Sequence, residues 1–447
     1  MSTTYVQGRL PFDPPEKNGR VLADSGNEIK AGDRAFHEWY RFVLSYPPHL
    51  VREYFHRFNL SPGDTVLDPF CGTGTTLIEA KLAGFQAVGV EANPFPHFAS
   101  TVKTDWSIDP SELEVTALQV ANATRHILSE QGADNYIVAK ENSISLRSLP
   151  PEAERALIKD SISPLPLHKT LVLLDALRPH MGQPIYRYGL LALGKALVAS
   201  IGNLKFGPEV GVGKIKQDAP VVDAWIAEVK RMAQDLKSLH ADYPDAMIAL
   251  GDAREVDALL PTRSVDAVIT SPPYPNEKDY TRTTRLETVI LGFAHDIHGV
   301  QAVKKRLVRS NTRSVYKDDE DAQWVKGHPE IQQLAAEIER RRIEMNKDSG
   351  FEKQYARVTL LYFGGMARHL AAMRAVLKPG AKLAYVVGDQ ASYLRVMIRT
   401  GELLADLAQR LGYQVEGIDL FRTRFATATQ MDLREEVVVL TWPGYKE

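Results

Sequence analysis

The sequence has a single cysteine, Cys71, among 447 residues. This excludes a disulfide within the chain and a zinc site built on cysteines, and it fits a reducing compartment. Charge of one sign is also missing. Lys and Arg total 54 against 56 Asp and Glu, a net charge of -2, so any basic surface for nucleic acid must be local. Long apolar runs are absent too. The most apolar helical stretch, YGLLALGKALVASIG (188–202), is short and carries Lys195, which reads as a packed helix and not a membrane span. The opening residues, MSTTYVQGRLPFDPPEK, lack a charged segment followed by an apolar one, so no secretory leader is expected. These absences predict a cytoplasmic protein without membrane contact. There is no internal repeat and no low-complexity tract. Hydrophobic residues make up 44% and charged residues 25%, ordinary values for a globular protein. The length suits two or three domain-sized units, or one large core with insertions.

Residues 1–35 are polar and read as irregular. AFHEWYRFVLSYPPHLVREYFHRF (35–58) is amphipathic and predicts helix at both ends, broken at Pro47-Pro48. GDTVLDPF (63–70) is a turn and a strand. TTLIEAKLAG (75–84) is a helix ending at Gly84, and QAVGVEAN (86–93) is the next strand. Strand, glycine loop, helix, strand is the start of a doubly wound α/β sheet. Further strands are predicted at AMIALGDA (246–253), VDAVITSPP (265–273), AKLAYVVGD (381–389), YQVEGIDLF (413–421) and EEVVVLTW (435–442), the last two as an antiparallel end to the sheet. The stretches between are helical in pattern. Five segments follow: 1–104, the N-terminal segment and first half of the core; 105–245, a helical insertion; 246–274, the second half of the core; 275–360, a second, basic helical insertion; and 361–447, the remainder. The insertions leave at strand ends, where open α/β sheets bind ligands.

DPFCGTGTT (68–76) is a glycine loop between strand and helix. It lacks the Gly-Lys-Ser/Thr ending of a P-loop. A dinucleotide loop would have a third glycine where Leu77 stands, although Glu91 ends the second strand, placed to accept ribose hydroxyls. A third ligand, S-adenosylmethionine, has a zwitterionic amino-acid end that needs close backbone approach with hydroxyl and carboxylate partners. Asp68, Gly72, Gly74, Thr75 and Thr76 supply these, and Asp252 is placed to bind an adenine amino group. Cys71 reads as a small packed residue of the loop.

The fourth strand ends in Ser271-Pro272-Pro273-Tyr274. Proline has no N–H for a sheet ladder, so the strand stops there. The exocyclic amine of a nucleobase is a weak nucleophile, because its lone pair is delocalised into the ring. A site that methylates it must hold the nitrogen so that the lone pair points at the donor. The Ser271 hydroxyl and the Pro272 carbonyl are suited to accept its two N–H groups. The prolines stiffen the loop, and Tyr274 offers a face for a base taken out of the stack.

DPFCGTGTT together with SPPY resembles the amino-group DNA methyltransferases, which make N4-methylcytosine and N6-methyladenine. YPPHLVREYF (46–55) lies where that family has its motif X, GDTVLDPFCGTGTT is its motif I, GVEANP (89–94) motif II, GDA (251–253) motif III and SPPY motif IV. LKPGAKLAYVVGD (377–389) fits a later strand of the core. The resemblance implies a Rossmann-like methyltransferase sheet of seven strands, the last pair partly antiparallel, with two mainly helical insertions. It implies S-adenosylmethionine as cofactor, S-adenosylhomocysteine as product, and no metal. It carries cofactor binding to Tyr46, Asp68, Pro69, Phe70, Gly72, Gly74, Thr75, Thr76, Glu91, Asn93, Asp252 and Ala253. Catalysis falls to Ser271, Pro272, Pro273 and Tyr274. The motif order puts the target-recognition region at 105–245, while the insertion at 275–360 departs from the family pattern.

In that family Ser at the first position of motif IV accompanies cytosine-N4 transfer, whereas Asp or Asn accompanies adenine-N6. The expectation is a site-specific cytosine-N4 enzyme acting on double-stranded DNA, with adenine-N6 as the alternative and a cognate restriction endonuclease as a candidate partner. C5 chemistry would need a nucleophilic cysteine in a Pro-Cys motif, and Cys71 lies in the cofactor loop instead. An RNA guanine-N2 enzyme usually has Asp or Asn before the two prolines and an N-terminal RNA-binding domain, for which only 45 residues precede motif X. Residues 297–317 hold Lys304, Lys305, Arg306, Arg309, Arg313 and Lys317 with no acidic residue, a candidate phosphate-contacting run that Arg282 and Arg285 extend. NLKFGPEVGVGKIK (203–216) is a second candidate, and Arg422 and Arg424 a third.

Overall fold

The computed structural model describes residues 19–24, 26–42, 45–133, 145–207, 209–240, 242–276, 278–426 and 430–445. In chain order, α1 (Pro48–Arg57) precedes β1 (Thr65–Asp68), α2 (Thr75–Leu82), β2 (Gln86–Glu91) and α3 (Pro94–Thr104). Five α-helices and a small hairpin follow: α4 (Pro110–Glu130), α5 (Pro151–Ala156), α6 (Pro164–Leu177), α7 (Pro184–Ala196), β3 (Leu204–Lys205), β4 (Gly211–Val212) and α8 (Val221–Lys237). Next come β5 (Ala246–Leu250), α9 (Val256–Leu259), β6 (Val265–Thr270), α10 (Tyr280–Thr283), α11 (Arg285–Ile290) and α12 (Ile297–Arg306). The chain closes with α13 (Pro329–Glu344), α14 (Tyr355–Val376), β7 (Leu377–Gly388), α15 (Thr400–Arg410), β8 (Gln414–Ala426) and β9 (Met431–Thr441).

Seven strands form the main sheet, in the order β5-β2-β1-β6-β7-β9-β8. All seven arise from the runs expected in the sequence. β1 pairs parallel with β2, and β2 with β5. β6 pairs parallel with β7, whereas β9 runs antiparallel to both β7 and β8. This is the doubly wound α/β sheet with an antiparallel end.

The chain divides into two compact units, one of residues 27–252 and 279–307 and the other of 1–26, 253–278 and 308–447. In the first, α4, α6, α7 and α8 share a core with Phe95, Trp225, Tyr188 and Leu286, all buried. Local chemistry starts these helices. Pro110 at the first turn of α4 follows Asp109, whose carboxylate accepts from the N–H groups of Ser111 and Glu112, both at 2.8 Å. YGLLALGKALVASIG is indeed packed helix, with Lys195 pushed down by burial. In the second unit α14 is buried along its length and α15 packs beside β8 and β9. Gly364 of α14 touches the turn at Asp321–Val325, where an added Cβ would lie 1.9 Å from the Asp321 carbonyl oxygen. Residues 279–307 and 308–360 read as one insertion in the sequence; they fall in different units.

One helix expectation is corrected. Ala35–Tyr40 forms only a short 3-10 turn at His37–Trp39, not an α-helix. Phe36 takes φ 60, and Asp235 accepts both the Phe36 N–H at 3.2 Å and the Trp39 indole N–H at 2.8 Å. Tertiary bonds to α8 therefore override the amphipathic pattern. The second half of the stretch is α1, with Pro48 at its first turn. No helix among the described residues is long and apolar enough to cross a membrane.

Candidate functional site

Within the first unit, β1 delivers Asp68 to the start of the glycine loop, fully buried. Its Oδ1 accepts from the Phe70 N–H at 3.1 Å, and its Oδ2 accepts from the Tyr46 hydroxyl at 2.8 Å. The Tyr46 hydroxyl also meets Thr76 Oγ1. Burial, reinforced by the Asp68 carboxylate, holds the Tyr46 phenol well above its usual pKa. Tyr46, Asp68 and Thr76 thus converge.

The loop itself turns on two left-handed glycines, Gly72 at φ 51 and Gly74 at φ 85. Gly74 also packs closely, since a Cβ there would sit 3.1 Å from Ser100 Cβ. Only glycine suits both demands. Pro69, Thr75 and Thr76 are buried, and Phe70 is half-buried. Cys71 lies in the packed wall of the loop, its thiol pushed up by burial with Glu91 and Asp68 nearby.

Glu91 ends β2 half-buried. Its carboxylate accepts the Gly72 N–H at 2.9 Å and the Asn93 N–H at 2.7 Å. Burial pushes its pKa up to about 7. Two backbone donors leave acceptor capacity on both oxygens, so the ribose role expected for Glu91 stays open to it. Asn93 Nδ2 donates to Thr284 Oγ1 at 3.2 Å, while its buried Oδ1 has no hydrogen-bond partner among the described residues. Beyond β5, Gly251 donates to the Glu91 carbonyl at 3.0 Å, and Asp252 follows, half-buried. Ala253 belongs to the other unit, where His369 Nδ1 meets its carbonyl oxygen at 2.7 Å.

In the second unit, β6 is buried up to Thr270 and the loop begins at Ser271. The Ser271 hydroxyl donates to the Val386 carbonyl of β7 at 3.2 Å. A hydroxyl that donates once still has lone pairs to accept with. Pro272 is buried; Pro273 and Tyr274 are half-buried. The Tyr274 ring lies over Gly388, where a Cβ would approach Tyr274 Cε2 to 3.1 Å. The sequence reading did not single out Val386 or Gly388, although both lie in the strand it matched to the family.

Three of the candidate cations have partners within the protein. Lys304 Nζ pairs with Asp279 at 2.6 Å, both largely buried. Arg309 is 4% exposed and grips Asp319 through Nη2 at 2.7 Å and Nε at 2.9 Å. Arg282 donates through Nε to the Val210 carbonyl at 3.0 Å, tying α10 to the segment between β3 and β4. Lys304 and Arg309 thus sit in largely buried ion pairs. Acids outside 297–317 neutralise both, which the charge count within the run could not reveal. Lys305, Arg306, Arg313 and Lys317 are exposed. Arg422 pairs with Glu435, and Arg424 stands 3.9 Å from the same carboxylate.

Among the described residues His328, Glu330 and Asp406 converge as metal-ligating types. Arg410 pairs with Asp406 at 2.8 Å and with Glu330 at 3.3 Å, so both acids are engaged in ion pairs between α13 and α15.

Residues 29–97 match a family described as DNA methylase. Over 443 residues the chain is 23% identical to the type II methyltransferase M.BsoBI of Geobacillus stearothermophilus, covering 89% of this chain and 82% of that protein. Its likeness to the type II methyltransferase M.AvaI of Nostoc is 23% over 445 residues, covering 92% and 85% respectively. A shorter stretch of 103 residues is 47% identical to a tRNA (guanine(10)-N2)-dimethyltransferase of Methanothermobacter thermautotrophicus, over 23% of this chain and 24% of that one.

Proposed function

We propose that this chain, a member of the amino-methyltransferase family, is a DNA methyltransferase acting on the exocyclic N4 of cytosine in a base flipped out of the duplex. The family implies S-adenosylmethionine as methyl source and S-adenosylhomocysteine as product. When bound, that cofactor supplies an electrophilic methyl group. The first unit's residues fit it. Gly72 and Gly74 permit close backbone approach, Asp68 and Glu91 offer carboxylates, and the buried Thr73 Oγ1 and Asn93 Oδ1 lack partners among the described residues. Tyr46, Asp68 and Thr76 would hold the amino-acid end, Glu91 the ribose and Asp252 the adenine.

The observation that carries the reading is the Ser271 hydroxyl, whose proton is committed to the Val386 carbonyl. Its lone pairs are thereby turned to accepting, alongside the Pro272 carbonyl. Two acceptors on one stiff loop suit an amine that must present its lone pair. Tyr274 is the stacking face. Double-stranded DNA is the partner in this reading, within a restriction–modification setting that includes a cognate endonuclease and a cytoplasmic location. The long likeness to type II enzymes supports DNA; the short likeness to a tRNA enzyme supports RNA as a second reading.

Mass spectrometry of nucleosides after incubation with isotopically labelled S-adenosylmethionine tests this. Labelled N4-methylcytosine in DNA is expected. Labelled N6-methyladenine would keep the mechanism and overturn Ser271 as base selector. Label in RNA alone would overturn the DNA assignment.

A further inference from the structure

Helix α3 turns one face to the glycine loop. Ser100 and Lys103 lie three residues apart on it, and neighbours at that spacing share a helix face. Ser100 packs at Gly74, and Lys103, only 1% exposed, reaches further in. Its ammonium donates to the Thr73 carbonyl at 2.7 Å and the Tyr40 carbonyl at 2.9 Å. Tyr40 is itself fixed, since its hydroxyl donates to the buried Glu287 carboxylate. Lys103 forms no ion pair with a carboxylate among the described residues. Burial pushes its pKa well down, and Lys195 and Arg41 add to this. Burying this amine away from water and from any carboxylate is costly. Two carbonyls alone could be satisfied by a neutral donor.

The geometry around Thr73 gives that cost a purpose. The Thr73 carbonyl and the Gly74 N–H belong to one peptide group. Lys103 holds the carbonyl, while the Gly74 N–H donates to the Cys71 carbonyl at 2.7 Å. The peptide plane is fixed at both ends. It sets Gly74 at φ 85, the residue from which α2 starts. The first N–H groups of a helix are ready donors to an anion.

We infer that Lys103 is a positioning residue for the cofactor: by bridging the Thr73 and Tyr40 carbonyls it fixes the 73–74 peptide and aims the first N–H groups of α2 at the carboxylate of the cofactor's amino-acid end. The inference rests on the S-adenosylmethionine reading above.

Calorimetric titration of the full chain with S-adenosylmethionine, without DNA, separates the two. No binding by the unaltered protein would overturn the cofactor reading itself. Given binding, Lys103→Met is expected to raise Kd at least 10-fold, with kcat at saturating cofactor changed less than twofold. Lys103→Gln, which keeps a neutral donor, should recover part of the affinity. If Lys103→Met fails to fold, the Gln variant decides by the same Kd-against-kcat split. Unchanged Kd in a folded variant, or kcat falling as far as Kd rises, would overturn the role.

Discussion

Ser271 and Tyr274 are the residues on which the proposed chemistry turns. Ser271→Ala removes one of two acceptors, and Tyr274→Ala removes the stacking face. Each should lower kcat by about 100-fold while leaving the Kd for S-adenosylmethionine within twofold. Full turnover in both would sink the assignment. Glu91 gives a pH signature. Its folded pKa of about 7 lies above the ordinary carboxylate value. Between roughly pH 4.5 and 7 the folded state therefore holds more protons than the unfolded chain, so this group's contribution to stability falls as pH rises through that window. In the proposed ribose role, ligand binding has the opposite slope, because the ionised carboxylate accepts a hydroxyl more strongly than the neutral acid. Affinity for the cofactor should drop as pH falls through about 7. Glu91→Gln should bind more weakly and flatten that profile in a titration series.

At the scale of elements, α14 and the Asp321–Val325 turn approach so closely that only glycine fits between them. Gly364→Ala would drive a Cβ into the Asp321 carbonyl. A loss of about 3 kcal/mol is expected in urea unfolding, and wild-type stability would disprove the close approach. Such contacts were not legible in the sequence, whereas the sheet was. The seven strands announce themselves by β-branched runs ended by proline, glycine or acid, and α2 by its spacing and Gly84. The failed helix at Ala35–Tyr40 had the right periodicity, but Asp235, some 200 positions away, claims its N–H groups. Lys103 is not legible in the sequence as a buried residue, because a lysine near a helix end normally faces water. One signal was available: it stands four residues after the buried Ala99, on the apolar face of α3. Tyr46 and Asp68 were easier, since both fall inside matched motifs.

The whole molecule has almost no net charge, so DNA affinity must come from selected cations. Exposed and buried members of the basic run should separate cleanly. Lys305→Gln and Arg306→Gln should each reduce the slope of log K against log salt by about 1, with folding unaffected. Arg309→Gln should instead strand Asp319 in a largely buried setting and cost about 3 kcal/mol or more of stability. Filter binding across a salt series, with a thermal melt of each variant, checks both. An unaltered salt slope in the first pair would remove them from the interface.

The lone thiol has a consequence of its own. Cys71 is walled in by the loop it belongs to, and its Sγ lies 3.0 Å from where a Cβ would stand on Gly89. A maleimide or iodoacetamide can reach it only when the loop swings open, and no other sulfhydryl competes for the reagent. The chain thus carries an intrinsic chemical clock at its cofactor loop. Its labelling rate counts openings, should slow with saturating S-adenosylmethionine, and should quicken in Lys103→Met.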